Sequence, residues 1–483
     1  MTKTCQQSRD ECADTLKPVS DNACFSPLSS AGVLSIKLRP IASLAPHRRN
    51  ARTHSRKQIQ QIARSIETFG FTNPVLVDAV GGILAGHGRV EAGKLLGMKE
   101  VPTIELAALN EEQRRAYAIA DNRLGELAGW DTDLLRLELG ELSVAFPELD
   151  LTLTGFETGE LDLILLADPS GSIASDPRAD ELPDVGPIPV SRSGDLWLLG
   201  PHRLLCGDAR DPDAYRILLP NQRVHLALTD PPFNVPIDGH ARGPGQHRHR
   251  DFAMASGEMT DTEFTTFLKL VLRNMADVSV PGAVHFTFMD WRHFPEVLSA
   301  GREIYDALLN VCVWVKGNGG MGSLYRSEHE HVFVWRIGNT SHTNNIQLGS
   351  YGRNRTNVWR YAGANSFGPG RAEMLELHPT VKPTQLLVDA ILDVSKRGEW
   401  VLDPFVGSGS TLIAAHQIDR VCAAIEIDPH YCDVVVERFE RFAGVEARHA
   451  GTGRTFSEEK WVRNAELKGT YANADLPNRE QTP

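Results

Sequence analysis

The chain lacks any apolar run long enough to cross a bilayer, so an integral helical membrane protein is excluded and no membrane partner is expected. It lacks a basic excess: 50 Lys and Arg against 62 Asp and Glu give a net charge of −12. A chain-wide polycation is thereby excluded, although a sum over the chain hides local sign. Paired cysteine spacing is missing too. The seven cysteines are scattered, so no zinc site and no disulfide framework is read, and reduced thiols in a cytoplasm are expected. Internal repeats are absent. His285, His329 and His331 lie in or beside strand-like apolar runs and read as core or loop histidines, so no metal is expected.

What is present begins at Val224 to Leu228, an apolar run that reads as a buried strand ending at Asp230-Pro231-Pro232-Phe233. Two prolines fix φ and remove two backbone donors, so the carbonyls around them face outward as acceptors. Asp230 and the Pro231 carbonyl can each accept one hydrogen of a planar amino group, turning its lone pair outward. Phe233 can stack on a flat ring, a contact worth about 1–3 kcal/mol in nucleic-acid sites. Pro232 completes the step.

Downstream, Trp400-Val401-Leu402 reads as a strand running into Asp403-Pro404-Phe405-Val406-Gly407-Ser408-Gly409-Ser410 and a helix through Ala415. Gly407 and Gly409 permit close approach of a ligand to backbone, as in dinucleotide-binding turns. A second strand, Val421 to Ile425, ends at Glu426, where an acid is placed to hold ribose hydroxyls.

With these motifs in this order, the chain from about Leu196 to Phe442 resembles the permuted amino methyltransferases of DNA, in which the catalytic motif precedes the cofactor motif. His378-Pro379-Thr380-Val381-Lys382-Pro383 resembles the cofactor-side segment of that group, and Cys206-Gly207-Asp208-Ala209 the element that closes over the cofactor's adenine. The resemblance implies an α/β fold with a doubly wound, Rossmann-like sheet and S-adenosylmethionine as methyl donor. It assigns Asp230, Pro231, Pro232 and Phe233 to catalysis. Asp403, Phe405, Gly407, Gly409, Glu426, Asp208, Thr380 and Lys382 are assigned to the cofactor. An aspartate leading the tetrapeptide favours the adenine amine (N6), and the cytosine amine (N4) stays open. No cysteine follows a proline, so a covalent ring-carbon mechanism is not expected.

The implied partner is double-stranded DNA, with the target base flipped out at a cost of a few kcal/mol. The segment 240–250 is glycine-rich and basic, and Arg242, Arg248 and Arg250 are expected to neutralise phosphates. Lys316 and Arg353 lie in the stretch where this group inserts its target-recognition region, about 316–371, and are expected to contact DNA. A homodimer is left open.

Residues 36–130 resemble the ParB-like N-terminal domain of chromosome-partition proteins, an α+β fold shared with sulfiredoxin. The resemblance rests on Gly86-His87-Gly88-Arg89, expected as a phosphate site at a helix N-terminus, between strands 74–77 and 101–104. The Glu-Arg-Arg run of the nucleotide-hydrolysing members is missing here, and so is sulfiredoxin's cysteine. The expected map is a disordered leader at 1–32 without a signal peptide, a ParB-like domain at 33–130 and a helical connector at 131–166. A linker at 167–190, a methyltransferase domain at 191–445 and a C-terminal tail at 446–483 complete it. A partition-type adaptor whose methyltransferase half does not turn over is the alternative of another class.

Overall fold

A computed structural model describes residues 34–47, 50–146, 148–166, 176–235, 257–317, 319, 324–346, 353–363 and 381–467. The expected leader, Arg242, Arg248, Arg250, Thr380 and the last sixteen residues of the expected tail lie outside them. The chain divides into two compact units, one of residues 1–131 and 153–155, the other of 132–152 and 156–483.

The first unit is a four-stranded sheet in the order β1 (Ile36–Pro40), β4 (Glu100–Glu105), β2 (Val75–Val77), β3 (Ile83–Ala85). Helix α1 (Arg56–Phe69) starts where Ser55 accepts a hydrogen bond from the Gln58 amide, and its apolar positions recur at helical spacing. Helix α2 (His87–Leu95) follows β3 directly through Gly86, whose φ of 98° suits glycine alone. Val75, Val77, Ile83, Val90 and Val101 form the core. Helix α3 (Glu111–Glu126) is fixed by a capping box between Asn110 and Gln113.

The second unit opens with α4 (Thr132–Ala145) and α5 (Thr158–Leu166), which share a small core of Leu139, Leu151 and Leu161. Its sheet has ten strands. In spatial order they are β11 (Val358–Arg360), β9 (Ala307–Val315), β10 (His329–Arg336), β8 (Ser279–Met289), β7 (Val224–Thr229), β12 (Trp400–Asp403), β13 (Val421–Glu426), β6 (His202–Cys206), β5 (Leu196–Leu199) and β14 (Arg448–His449). From β8 to β6 every pairing is parallel. Parallel strands are covered on both faces, which is why Val224, Leu226, Ala227 and Leu228 are all buried rather than alternating. Helices α6 (Pro212–Leu218), α7 (Asp261–Asp277) and α8 (Phe294–Ile304) pack on one face. Helices α9 (Thr384–Val394), α10 (Ser410–Gln417) and α11 (Pro429–Ala443) cover the other, giving the doubly wound sheet.

Three expected boundaries differ in the structure. Strand β10 pairs with both β8 and β9, so this part of the expected recognition insertion is interior sheet; Val332, Phe333 and Trp335 are buried there. Residues 176–190, read as linker from their composition, lie against the second unit. Asp180 accepts from the Thr384 amide at 3.0 Å and hydroxyl at 2.7 Å, and Asp433 accepts from the amides of Val190 and Ser191 at 2.5 and 2.8 Å. The expected tail contributes β14 and α12 (Phe456–Leu467), with Phe456 and Val462 buried. The connector is likewise tied down: Asp162 on α5 meets Arg420 at 2.8 Å and Arg397 at 3.0 Å, with Asp162 and Arg420 both buried. Among the described residues, no helix is long and apolar enough to cross a membrane.

Candidate active site

The carboxyl ends of β6, β13, β12 and β7 lie side by side, and each carries one of the residues singled out above. Neighbouring strands are roughly 4.8 Å apart. Residues distant in sequence therefore meet along one edge of the sheet, where ligands bind in open α/β folds.

At the end of β12, Asp403 is buried. It accepts the Thr411 hydroxyl at 2.6 Å and the Phe405 amide at 3.1 Å, which ties the strand end to the first turn of α10. Burial pushes its carboxyl up to about 7 against those hydrogen bonds. The turn between them uses two left-handed glycines, with φ of 54° at Gly407 and 88° at Gly409. A Cβ on Gly409 would sit 3.2 Å from Val435, whereas one on Gly407 would meet nothing within 4 Å. Gly409 is thus required by packing, and Gly407 borders open space. Glu426 at the end of β13 faces the same turn and accepts the amides of Gly407 and Asp428, each at 2.9 Å. Burial pushes this carboxyl up to about 7 as well. Asp208, just past β6, is paired with Arg210 at 2.6 Å.

The open space at Gly407, bordered by Glu426, fits the adenosyl part of a nucleoside cofactor. Each Glu426 oxygen keeps a second lone pair for a ribose hydroxyl.

Asp230 follows β7 directly. Its Oδ2 accepts from Lys382 Nζ at 2.5 Å, while its Oδ1 is buried and has no hydrogen-bond partner among the described residues. Its side chain as a whole remains 22% exposed. Lys382 also meets Glu330 of β10 at 3.2 Å, and Glu330 pairs with Lys316 just past β9. The Lys382 ammonium lies 4.9 Å from the Phe288 ring centroid, 5.4 Å from Trp314 and 5.8 Å from Phe233. Burial raises Asp230 above the usual carboxylate range, and Lys382 opposes that. Burial also works against the Glu330 charge, but Lys382 and Lys316 bring it down to about 2.

With this geometry in view, the comparisons with known proteins are decisive for the family. A DNA methylase family model matches residues 224–437, a ParB-methyltransferase HTH domain 133–193 and a ParB N-terminal domain 29–123. Residues 224–437 carry the match to the N6/N4 DNA methylases, joined in this chain to a ParB-type N-terminal domain. Among curated relatives, the type II methyltransferase M.HpaI of Haemophilus parainfluenzae is 23% identical over 252 residues, 49% of this chain and 74% of that protein. The ParB-like nuclease domain-containing protein YnaK of Escherichia coli (strain K12) is 51% identical over 82 residues, 17% of this chain and 94% of that protein. Among solved structures, the candidate DNA modification methylase TTHA0409 of Thermus thermophilus is 22% identical; the match covers 53% of this chain and 97% of that one, with a TM-score of 0.36. S-adenosylmethionine goes with membership of the methylase family.

Within the methylase unit, Lys382, expected on the cofactor, donates to Asp230. Arg353, expected on DNA, is buried and meets Asp393 at 2.7 Å and Asp389 at 3.3 Å, because both acids line the adjoining face of α9. Lys316 is held by Glu330 and lies 4.9 Å from the Trp314 centroid. Glu330 and Arg438 were not singled out from sequence. Buried Arg438 donates to the Ser408 carbonyl at 2.7 Å and the Ala179 carbonyl at 2.5 Å, clamping the glycine turn from behind. Asn234, with φ of 52°, donates to the Met259 carbonyl at 2.8 Å and accepts the Gly257 and Met259 amides at 3.2 Å.

In the ParB-type unit, Gly88 lets α2 close on α1, since a Cβ there would lie 3.0 Å from Ile62. His87 accepts the His47 amide at 3.3 Å, and burial lowers its pKa first, with His54 and His47 adding to it. Arg89 Nη1 donates to the carbonyls of Asn73 and Pro74 at 2.9 and 2.8 Å, so this nitrogen secures the preceding loop.

Proposed function

We propose that the protein transfers a methyl group to the exocyclic amine of adenine (N6) in double-stranded DNA. The observation that carries this reading is the Asp230 carboxylate, one oxygen anchored to Lys382 and the other an acceptor without a donor, one strand away from the glycine turn. When bound, S-adenosylmethionine supplies an electrophilic methyl. Asp230 Oδ1 and the Pro231 carbonyl each accept one amine hydrogen, which turns the nitrogen lone pair toward that methyl. Pro232 keeps the step rigid, and Phe233 stacks on the base. Gly407, Gly409 and Glu426 hold the adenosyl part, with Asp208 at its edge and Asp403 and Phe405 shaping the turn.

The reading is tested by nucleoside mass spectrometry of DNA incubated with the protein and S-adenosylmethionine. N6-methyladenine is the expected product, and N4-methylcytosine would keep the machinery and change the base. No product on any DNA, with cofactor bound, would overturn the reading in favour of an adaptor. Asp230→Ala should abolish product while leaving cofactor affinity within about twofold, because the two sites use different strands. Deleting residues 36–130 should weaken DNA binding if the ParB-type unit contacts DNA.

A further inference from the structure

Asp230 is joined to a line of side chains that methyl transfer itself does not call for. Lys382 sits between two carboxylates, 2.5 Å from Asp230 and 3.2 Å from Glu330, and Glu330 is shared with a second cation, Lys316. The signs alternate along the line: Asp230, Lys382, Glu330, Lys316. Lys382 and Glu330 are each 8% exposed, and three aromatic rings surround the ammonium. Breaking such a buried pair by removing one partner leaves a charge uncompensated, so these groups constrain one another strongly.

We propose that Lys382 and Glu330 are positioning residues: Lys382 holds the Asp230 carboxylate charged and turned so that Oδ1 is left to the substrate amine, and Glu330 holds Lys382 and limits how fully it neutralises Asp230. The proposal rests on the methyltransferase reading of Asp230 and deepens it. An ionised carboxylate accepts the amine hydrogen, whereas a protonated one offers a competing donor. Burial alone favours the protonated form, and the Lys382 ammonium opposes it. Glu330 acts in the other sense, both by its own charge near Asp230 and by drawing on the same ammonium. Among the described residues, the remaining groups facing Asp230 are Lys316, which favours the charged form, and Asp403 at the end of β12, which shares the same electrostatic neighbourhood.

The opposed signs give the test. Single-turnover methyl transfer at saturating S-adenosylmethionine is followed against pH for the full chain and for Lys382→Met, Lys382→Arg and Glu330→Gln. Lys382→Met should move the acid limb of the rate upward by about 1–3 pH units, the range for losing one close opposite charge. Glu330→Gln should move it downward, and Lys382→Arg should stay near the parent. A purely structural role would lower rates without moving the limb, and unmoved limbs in both charge-removing variants would overturn the proposal. Should Lys382→Met not fold, Glu330→Gln decides alone, because its downward shift is not produced by loosened packing. In parallel, the Asp230 carboxyl is titrated directly by carbon-13 NMR of aspartate-labelled protein, assigned with Asp230→Asn. If no DNA is methylated, the functional reading fails, yet the same opposed shifts of the Asp230 titration still support or refute the role of Lys382 and Glu330.

Discussion

Gly407 and Gly409 differ by two positions, yet alanine at each should fail in a different way. Gly407 has φ of 54°, within the left-handed region open to L residues, and its Cβ would meet nothing within 4 Å. The folding cost of Gly407→Ala is therefore only the left-handed penalty, about 1 kcal/mol. Gly409 has φ of 88°, outside that region, and its Cβ would press on Val435 at 3.2 Å. Its alanine adds an overpacking cost of about 1–3 kcal/mol to the backbone strain. If the open space beside Gly407 receives the cofactor, the added methyl blocks it. Gly407→Ala should then raise the S-adenosylmethionine Kd at least about tenfold, or 1.4 kcal/mol. Urea denaturation without ligand and isothermal titration with S-adenosylmethionine separate the two effects. Gly407→Ala that binds the cofactor as tightly as the parent would refute the placement of the ligand against this turn.

Other outcomes follow from buried charge and buried histidine. Arg420→Met leaves Asp162 with Arg397 as its remaining cation among the described residues and should cost up to about 3 kcal/mol in urea denaturation, the low end for a broken buried pair, with faster proteolytic cleavage between α5 and the sheet; an unchanged midpoint would contradict this. Burial lowers the His285 pKa to about 3, with Ser279 and Tyr305 on its two ring nitrogens. The unfolded chain takes up that proton near pH 6.5 and the folded chain does not, so stability is complete above 6.5 and falls toward pH 3. Between pH 7 and 5 the loss for this residue is about 2 kcal/mol, and His285→Asn should remove that part of the pH dependence. His202, lowered to about 3 by burial and then His416, should leave a similar slope in that variant. Equal pH dependence in His285→Asn and the parent would show that His285 titrates normally.

The elements that carry the chemistry were legible because each is local. A strand reads from its apolar run, a strand–glycine–helix turn from its punctuation, and Glu426 from its place at a strand end; all are found where expected. Helix α1 was legible from its period. The misread parts are those where composition and packing point in different directions. Residues 176–190 have few large apolar side chains, and what fixes them is backbone bonding to Asp433 and Arg438 and the Asp180 carboxylate on Thr384, a signal that composition does not carry. Arg353 shows the same limit, since an arginine in a polar stretch reads as a surface cation until its partners, 36 and 40 residues away, are known.

The site itself explains why its second half could not be read. Chain order is β6, β7, β12, β13, whereas spatial order places β12 and β13 between β7 and β6. That insertion puts the glycine turn beside Asp230. The Lys382 contact has no such marker: it spans 152 residues and joins a segment before α9 to the end of β7. Within a motif that resembles a cofactor segment, a lysine is naturally assigned to the cofactor. Burial adds what the motif does not carry, because an ammonium 8% exposed must find carboxylates, and Asp230 and Glu330 are the two beside it. The same requirement makes a net charge of −12 compatible with work on DNA. In this line of four side chains the signs cancel, so on the proposed function Asp230 receives its substrate beside a charge row that sums to zero.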